Sequence, residues 1–536
     1  DGDGDIDVLS ASFIDDKIAW YENLTITPTR LTRGPYLQIG TPTSVAVRWR
    51  TNNATNSRVR YSTNPNDLFS LVDSSTITAE HNLTLSGLLT GTKYYYSVGS
   101  ASDTLDIGPD YFFITAPGAG TVKKSRIWVL GDAGTADANQ RAVRDAYYAY
   151  TDTIHTDLWV MLGDNAYDNG SQSEYQAAVF DMYPTMLRKS VLWPAFGNHD
   201  AGFASSTTQT GPFYDMFTLP ANGEAGGVAT GTEAYYSFDY TNVHFICLNS
   251  HDINRTVTGA MLSWLENDLA ANSLDWTIAF WHHPPYSAGS HKSDVEFQLI
   301  EMRQNALPIL ENGGVDLVLT GHSHSYERSF LLDGHYGLSN TLTSEMIIDG
   351  GDGREDGDNA YQKPTLGPAP HEGAVYIVAG SSGKTSGGIL NYPAMSVSLN
   401  VLGSVILDVD SNRIDVTFLD DNGTTRDYFT LIKGETPPVY VELPLMVPDR
   451  FKLSQNYPNP FNPETTISYS MPNSGFVTLT INDILGREVL SLVNEFQDMG
   501  SYSVNLDANR LASGTYFYKL RIGNSFVEIK KMLLVR

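Results

Sequence analysis

Five short polar segments in the middle of the sequence each follow a hydrophobic run of strand type. The runs are RIWVL, DLWVML, VLWPAF, WTIAFW and VDLVLT. The segments that follow them are GDAG from Gly131, GDNAY from Gly163, GNHD from Gly197, HHPPY from His282 and GHSHSYER from Gly321. Because α/β sheets bind ligands at the carboxyl ends of their strands, this arrangement predicts one polar site at a sheet edge.

The domain organisation follows from length and pattern. A chain of 536 residues exceeds one ordinary hydrophobic core, so three or four domains are expected. Residues 29–117 show short alternating strands with turns at the spacing of a β-sandwich. Residues 122–434 alternate strands with helical stretches at 136–150, 259–271 and 297–311, which predicts a layered α/β domain with a central sheet. The polar stretch from Asp333 to His371 is interpreted as a solvated loop in preference to a lid.

Charge and cysteine content exclude several classes of function. With 34 basic and 61 acidic residues, the net charge of -27 argues against duplex DNA or an anionic membrane as the main partner. Metal cations bound in the site would make the local electrostatic potential positive, so the acidic net charge does not exclude a phosphorylated substrate. Cys247 is the only cysteine, and therefore no intrachain disulfide forms. There is no run of about 20 apolar residues, which predicts no membrane span.

The carboxylates and the tyrosine of the first two segments suit a pair of metal ions. Asp164 is well placed to bridge two cations, because a carboxylate has two oxygens. Tyr167, three residues later, can coordinate as a phenolate, and a hard anionic oxygen of that kind favours ferric iron. Asp132 forms a weaker signal, because a glycine-flanked aspartate after a buried strand is also a common turn.

The remaining segments supply neutral ligands. Asn198 offers an amide oxygen, and His199 beside it can donate a proton near neutral pH. The spacing of HHPPY favours His282 as a ligand, with His283 behind it. A final pair, His322 and His324, alternates along an extended segment, so both side chains point to the same side.

Taken together, the five segments resemble the calcineurin-like metallophosphoesterases, and Tyr167 makes the purple acid phosphatases the most similar branch. The resemblance spans roughly residues 35–431 and implies an α/β sandwich metallophosphoesterase core of βαβαβ units, flanked by all-β sandwich domains. It implies Fe³⁺ held by Asp132, Tyr167 and His324. It implies Zn²⁺, Mn²⁺ or Fe²⁺ held by Asn198, His282 and His322, with Asp164 bridging the two metals. The outer-sphere catalytic histidines map onto His199 and, from spacing alone, onto His291.

The activity implied by this resemblance is hydrolysis of phosphate monoesters by in-line attack of a metal-bound hydroxide. Two alternatives stay open. A phosphodiesterase or nucleotidase would use the same metals, because pocket shape chooses between the esters. A surface adhesin or scaffold with an inactive domain is the alternative outside the enzymes, and the complete ligand set argues against it.

The flanking regions carry resemblances of their own. In residues 29–117, the spacing of Leu88, Thr92 and Tyr94 resembles the tyrosine corner of fibronectin type III domains, one of which precedes the catalytic part of plant-type purple acid phosphatases.

Residues 1–24 begin DGDGDID, similar to the end of a calcium-binding propeller repeat of the FG-GAP/VCBS type. That similarity implies a Ca²⁺ site, with a solvated acidic tail as the alternative, and a processed or truncated amino end. Its ligands would be Asp1, Asp3, Asp5 and Asp7.

The carboxyl-terminal part begins with a proline-rich linker at 435–448. Residues 449–536 contain LSQNYPNPFNPETTISY and LASGTYFYKL, which closely resemble the sorting domain of type IX secretion cargo. This implies a small all-β sandwich, the type IX machinery as a partner, and a bacterial protein that is secreted or attached to the cell surface. A generic adhesive β-module is the alternative. A eukaryotic secreted phosphatase, suggested by sequons at Asn23, Asn53, Asn82, Asn254 and Asn422, fits the sorting phrases less well.

Overall fold

A computed structural model describes residues 8–12, 17–21, 28–434, 450–497, 499–509, 511–523 and 526–535. The expected calcium ligands Asp1, Asp3, Asp5 and Asp7 and the proline-rich linker lie outside these residues. Strands β1 (Val8–Ser12) and β2 (Lys17–Tyr21) pair in antiparallel fashion. The chain divides into two units, Asp1–Thr436 and Pro437–Arg536.

The first region of the larger unit is all-β. Its strands are β3 (Leu31–Gln38), β4 (Ser44–Ser62), β5 (Ser70–Ser86), β6 (Lys93–Gly99) and β7 (Thr104–Ile114). The long strand β4 pairs with β3 through its first half and with β6 through its second half, and its pairing with β5 shifts register between Arg50 and Thr55. All five strands thus belong to one sheet, in which β4 pairs with three others. The Leu89 N–H donates to the Tyr94 hydroxyl at 2.9 Å, which ties this tyrosine to the loop before its own strand.

The following region alternates strands and helices. Its strands are β8 (Ser125–Leu130), β9 (Leu158–Met161), β10 (Val191–Pro194), β11 (Tyr236–Tyr240), β12 (Val243–Cys247), β13 (Trp276–Trp281), β14 (Leu317–Thr320), β15 (Tyr326–Ser329), β16 (Leu331–Leu332), β17 (Ile347–Asp349), β18 (Tyr361–Lys363), β19 (Val375–Ala379), β20 (Met395–Leu399), β21 (Gly403–Asp410), β22 (Arg413–Asp420) and β23 (Thr425–Lys433). Its helices are α1 (Ala138–Thr151), α2 (Gln172–Tyr175), α3 (Pro184–Leu187), α4 (Pro212–Met216), α5 (Ala260–Ala271), α6 (Phe297–Glu301) and α7 (Leu307–Asn312).

Fourteen of these strands form two seven-stranded sheets within residues 122–434, and β16 and β17 form a separate two-stranded sheet. One has the order β10-β9-β8-β21-β22-β23-β18, and the other has the order β11-β12-β13-β14-β19-β15-β20. The sheets face each other, because the Trp193 ring stacks on Phe238 at 3.8 Å and Tyr326 stacks on Phe418 at 4.0 Å across them. The alternation of strands and helices predicts one central sheet, whereas the structure has two facing sheets, in agreement with the α/β sandwich that the family resemblance implies. Of the five strands that precede the polar segments, β8, β9 and β10 belong to the first sheet and β13 and β14 to the second.

Helix α1 packs against the first sheet. Asp137 caps its amino end, because the Asp137 side chain accepts the backbone N–H groups of Asn139 and Gln140. The Tyr147 ring of this helix stacks on Trp128 of β8 at 4.1 Å. The helix predicted at 297–311 is interrupted, since a π-helical stretch at Met302–Ala306 separates α6 from α7. No helix among the described residues is long and apolar enough to cross a membrane.

The smaller unit is all-β in its described residues. Its strands are β24 (Lys452–Leu453), β25 (Glu464–Met471), β26 (Gly475–Asn482), β27 (Glu488–Gln497), β28 (Gly500–Asp507), β29 (Gly514–Ile522) and β30 (Phe526–Leu534). They form two sheets, β24-β25-β28 and β27-β26-β29-β30. Side chains that alternate along these strands, such as Ile467, Tyr469, Leu479 and Tyr518, fill the core between the sheets.

A buried histidine of the second sheet gives the larger unit a pH-dependent stability. His244 lies between Asp239, at 2.7 Å from its Nδ1 atom, and Asp268, at 2.9 Å from its Nε2 atom. Burial alone would lower the pKa of His244, but the two carboxylates outweigh it and raise the pKa to about 9. This stabilisation is complete below the ordinary histidine pKa of about 6.5 and is lost as the pH rises through about 9.

We expect the melting temperature of the larger unit to fall by several degrees between pH 6.5 and 9.5, because roughly 3 kcal/mol of linkage is lost. In a His244→Gln variant, which is less stable overall, this pH-dependent loss should largely disappear. His81→Gln is the control, since burial lowers the pKa of His81 to about 4 and keeps it neutral throughout this range. Parallel pH curves for the wild-type and His244→Gln proteins would contradict the assignment.

Candidate metal centre

The ends of β8, β9, β10, β13 and β14 bring all five polar segments to one place. Three residues shortly after the ends of β8, β9 and β14 have positive φ values: Asp132 at 55°, Asp164 at 52° and His322 at 66°. This left-handed conformation is uncommon for residues with a side chain, and it clusters at functional sites. All three are among the predicted metal ligands, so the uncommon backbone conformation lies at the candidate site.

Glycines precede these residues because the backbones approach closely. Gly163 has a φ of 92°, and a Cβ atom there would lie 2.7 Å from the Nδ1 atom of His282. A Cβ atom on Gly197 would lie 2.2 Å from the backbone nitrogen of Asp164. Gly163 and Gly197 therefore provide the space that the neighbouring segments occupy.

One group of donor atoms surrounds the Tyr167 hydroxyl. Its oxygen lies 3.1 Å from Asp132 Oδ1, 3.0 Å from Asp164 Oδ2 and 3.5 Å from His324 Nε2. The imidazole of His324 is held from behind, because its Nδ1 atom lies 2.7 Å from the Ser386 hydroxyl. Four side chains from three segments thus converge on one point.

A second group surrounds the Nε2 atom of His282. This nitrogen lies 2.9 Å from Asn198 Oδ1, 3.2 Å from His322 Nδ1 and 3.4 Å from Asp164 Oδ1. Asp164 therefore directs Oδ2 to the first group and Oδ1 to the second. The structure brings together all seven side chains that the sequence predicts as metal ligands.

The chemistry of these donor sets fits two cations. The Nδ1 atom of His282 lies 2.9 Å from the Leu162 carbonyl and donates to it, so its Nε2 atom faces Asn198 and Asp164. Burial would lower the pKa of His282, but Asp164 and Asp132 outweigh it and raise the pKa, so without a metal a proton on Nε2 is favoured, and a bound metal cation would take the place of that proton. Ligand atoms about 2.1 Å from one metal, at right angles, lie about 3 Å apart, which matches the observed separations.

The pKa values of Asp132 and Tyr167 show how strongly the charged side chains of the cluster interact. Burial alone would raise the pKa of Asp132, but His324, His282 and His322 together hold it at about 2. Burial and the carboxylates of Asp132 and Asp164 raise the pKa of Tyr167 well above its ordinary value. Without a cation, therefore, the Tyr167 hydroxyl keeps its proton and donates it to a carboxylate.

His199 lies beside Tyr167 of the first donor group, and His283 lies beside His282 and His322 of the second. The His199 side chain is 33% exposed, its Nδ1 atom donates to the Asp168 carbonyl at 2.6 Å, and its Nε2 atom lies 3.8 Å from Asp164 Oδ2. Solvent can reach this ring. His283 is buried, and its Nδ1 atom lies 2.8 Å from the Ser250 hydroxyl. Burial and the neighbouring His322 lower the pKa of His283 well below its ordinary value, so it is a neutral support behind the centre.

His291 joins the site through a residue that the sequence analysis did not single out. Its Nδ1 atom lies 2.9 Å from Glu296 Oε2, and the same oxygen lies 3.3 Å from His322 Nε2. The His291 ring lies 3.7 Å from the His322 ring. Glu296 therefore orients one predicted ligand and one predicted catalytic histidine, and no signal in the local sequence identifies it.

Asp200 is the second residue that sequence reasoning missed, although it ends the GNHD segment. Its carboxyl group accepts the backbone N–H groups of Asn165, at 3.1 Å, and Gly197, at 2.8 Å. It also accepts the Tyr175 hydroxyl at 2.5 Å. Burial and the nearby Asp164 raise the pKa of Asp200 to about 7. Through these hydrogen bonds, Asp200 holds in place the backbone next to Asp164 and the backbone next to Asn198.

Three family models match consecutive parts of the chain. Residues 33–115 match the purple acid phosphatase N-terminal domain, and residues 125–326 match the calcineurin-like phosphoesterase model. Residues 455–535 match the secretion system C-terminal sorting domain. The matched stretch at 125–326 contains the first four polar segments and the fifth up to Tyr326, including all seven predicted metal ligands.

Curated relatives and solved structures agree with these matches. Purple acid phosphatase 15 of Arabidopsis thaliana is 27% identical over 281 residues, 46% of this chain and 49% of that protein. Purple acid phosphatase 1 of Ipomoea batatas is 26% identical over 263 residues, 46% of this chain and 51% of that protein. The chain thus spans about half the length of these relatives.

Purple acid phosphatase PPD1 from yellow lupin (Lupinus luteus) seeds has a similar fold, with a TM-score of 0.61 at 17% identity over 80% of this chain and 79% of that chain. PhoD has a TM-score of 0.53 at 13% identity over 75% of this chain and 90% of that chain.

Proposed function

The chain belongs to the purple acid phosphatase branch of the calcineurin-like metallophosphoesterases, and we propose that it hydrolyses phosphate monoesters at a dinuclear metal centre. One observation carries this proposal most directly. The two oxygens of Asp164 face two separate donor groups, which is the arrangement of a carboxylate that bridges two cations. Each group contains the neutral and anionic donors that such cations bind.

The donor sets suggest which metals they hold. Asp132, Tyr167 and His324 include a carboxylate and a phenol, hard oxygens that favour Fe³⁺. Asn198, His282 and His322 are neutral donors that suit Zn²⁺, Mn²⁺ or Fe²⁺. When bound, such a pair supplies activation of water and neutralises charge on the phosphoryl oxygens.

His199 is the residue that we propose as proton donor to the leaving oxygen. Its Nδ1 proton is committed to the Asp168 carbonyl, so a protonated ring has its second proton on Nε2 at the open side of the centre. The ring also packs edge-on against Tyr167, with 4.6 Å between the ring centroids, which restricts its rotation. The other predicted catalytic histidine, His291, is oriented by its contact with Glu296.

Replacing His199 with glutamine is expected to lower kcat for an aryl phosphate about 100-fold while both metals stay bound, because a positioned acid contributes on that order. His291→Gln should cost less, about tenfold. Metal analysis and kinetics on the same preparations measure both effects. The exposed His371→Gln provides the control, since it lies against Asp333 and contacts no residue of the centre. A His199→Gln protein with full kcat would contradict the assignment.

The proposed reaction is tested by hydrolysis of 4-nitrophenyl phosphate and of its bis-ester by the metal-loaded full chain between about pH 4 and 8. Preferential turnover of the monoester supports the proposal. Preference for the diester would replace it with a phosphodiesterase function at the same metals. Absence of turnover with two metals bound per chain would favour the non-catalytic scaffold.

The carboxyl-terminal sorting domain supports a proposed location. We propose that the type IX secretion machinery recognises residues 449–536 and that the protein is exported by a bacterium to its surface or surroundings. Deletion of this unit in a host that has the machinery should leave the enzyme inside the cell. Unchanged export of the truncated chain would overturn this assignment.

A further inference from the structure

A glycine- and serine-rich loop that follows β19 crosses the candidate metal centre. We refer to residues 380–388, with the sequence GSSGKTSGG, as the crossing loop. Three of its backbone N–H groups donate to the polar segments: Gly380 to the Ser325 carbonyl at 3.1 Å, Ser382 to the Gly131 carbonyl at 3.1 Å and Ser386 to the His324 carbonyl at 3.2 Å. The crossing loop is thus fastened to both sheets at the site.

The middle of this loop lies close to a predicted ligand. A Cβ atom on Gly383 would lie 2.7 Å from the Asp132 carbonyl oxygen, so only glycine allows the loop to pass at this distance. The Ser386 hydroxyl lies 2.7 Å from His324 Nδ1. Lys384 lies between these two anchored positions, and its backbone is therefore fixed relative to the metal centre.

Lys384 directs its ammonium group over the ring of Tyr167, one of the predicted metal ligands. Its Nζ atom lies 3.7 Å from the centroid of the Tyr167 ring, and the side chain is partly buried. Among the residues that the structure describes, no carboxylate forms an ion pair with Lys384 within 4.0 Å. A positive charge is therefore held against the Tyr167 ring, which His199 also contacts, without an ion-pair partner among the described residues.

We propose that Lys384 binds the phosphoryl group of the substrate and favours doubly charged monoesters over singly charged diesters. This inference rests on the proposed function of the same centre. In a chain with a net charge of -27, a phosphate ester meets a repulsive field. An ammonium group beside the metals attracts the additional oxyanion that a monoester has and a diester lacks. Lys384 is thus a specificity-determining residue that contacts substrate.

The inference is tested with Lys384→Gln, Lys384→Arg and the control Lys123→Gln, whose ammonium group is exposed and pairs with Asp157 at 3.1 Å, away from the polar segments. For each metal-loaded full-length protein we would measure kcat/KM for the aryl monoester and diester, the dissociation constant of inorganic phosphate by calorimetry, and metal content. In Lys384→Gln we expect monoester kcat/KM and phosphate affinity to fall about 10- to 100-fold, diester kcat/KM to change less than about threefold, and the metals to remain. Lys384→Arg should restore most of the phosphate affinity.

Equal losses for both esters, unchanged phosphate affinity or loss of metal from Lys384→Gln would each overturn the inference. Loss of metal would mean that Lys384 supports Tyr167 instead of binding substrate. Phosphate affinity also separates this inference from the proposed function. If the wild-type protein hydrolysed neither ester but bound phosphate, a weaker affinity in Lys384→Gln would still support the role of Lys384.

Discussion

Replacing Asp164 with asparagine is expected to lower hydrolysis of an aryl phosphate by at least about three orders of magnitude and to release at least one of the two metals. The substitution keeps the size of the side chain. It replaces one oxygen with an amide nitrogen, which has no lone pair to offer a cation. Since Oδ1 and Oδ2 of Asp164 face different donor groups, one group must lose its shared ligand.

Local folding should survive this change better than metal binding. Asp164 Oδ1 also accepts the backbone N–H of His199 at 2.9 Å, and the asparagine can keep that bond through its own oxygen. Asp145→Asn on α1 is the matched control, because this exposed carboxylate forms a surface ion pair with Arg144 that contributes little to stability. A purified Asp164→Asn protein that holds two metals and turns over at more than a tenth of the wild-type rate would contradict the bridging role.

The sequence predicts the local parts of this centre well because each rests on a short-range pattern. The runs before Gly131, Gly163 and Gly321 form strands, and the polar residues follow at their carboxyl ends. The extended backbone expected at His322 and His324 is not found, because His322 has a φ of 66° and residues 322–325 form bends, although both side chains reach the centre. For the strands and their ends, hydrophobic periodicity and turn chemistry are sufficient, since the information lies within about ten residues.

The pairing of the strands is less visible in the sequence because it depends on distant residues. Strand β21 joins β8 although about 280 residues separate them, and the Arg126 to Asp408 ion pair at 2.7 Å lies on this junction. Alternation of strand and helix predicts a parallel sheet. It contains no information on whether the strands form one sheet or two facing sheets.

Supporting residues are missed for the same reason. Glu296 touches His322, and Lys384 lies over Tyr167, more than 200 residues away in sequence. An isolated glutamate or lysine in a polar loop has the appearance of a solvated surface residue. Only the folded chain shows that both groups face the centre, because the crossing loop and the segment after His282 meet there.

Replacing Tyr167 with phenylalanine is expected to abolish the visible absorption band of the iron-loaded protein, because a phenolate bound to Fe³⁺ is the group that would give such a band. The Tyr167 oxygen lies within 3.5 Å of Asp132, Asp164 and His324, so a metal at that point would contact it directly. Burial and the two carboxylates raise the pKa of the free phenol, and a strongly charged cation is therefore needed to hold the phenolate. Tyr183→Phe provides the control, since this buried tyrosine accepts the Gln140 side chain at 3.0 Å and contacts none of the ligands. Spectra of equal iron content would decide the question, and a band of unchanged position and intensity in Tyr167→Phe would show that another ligand produces it.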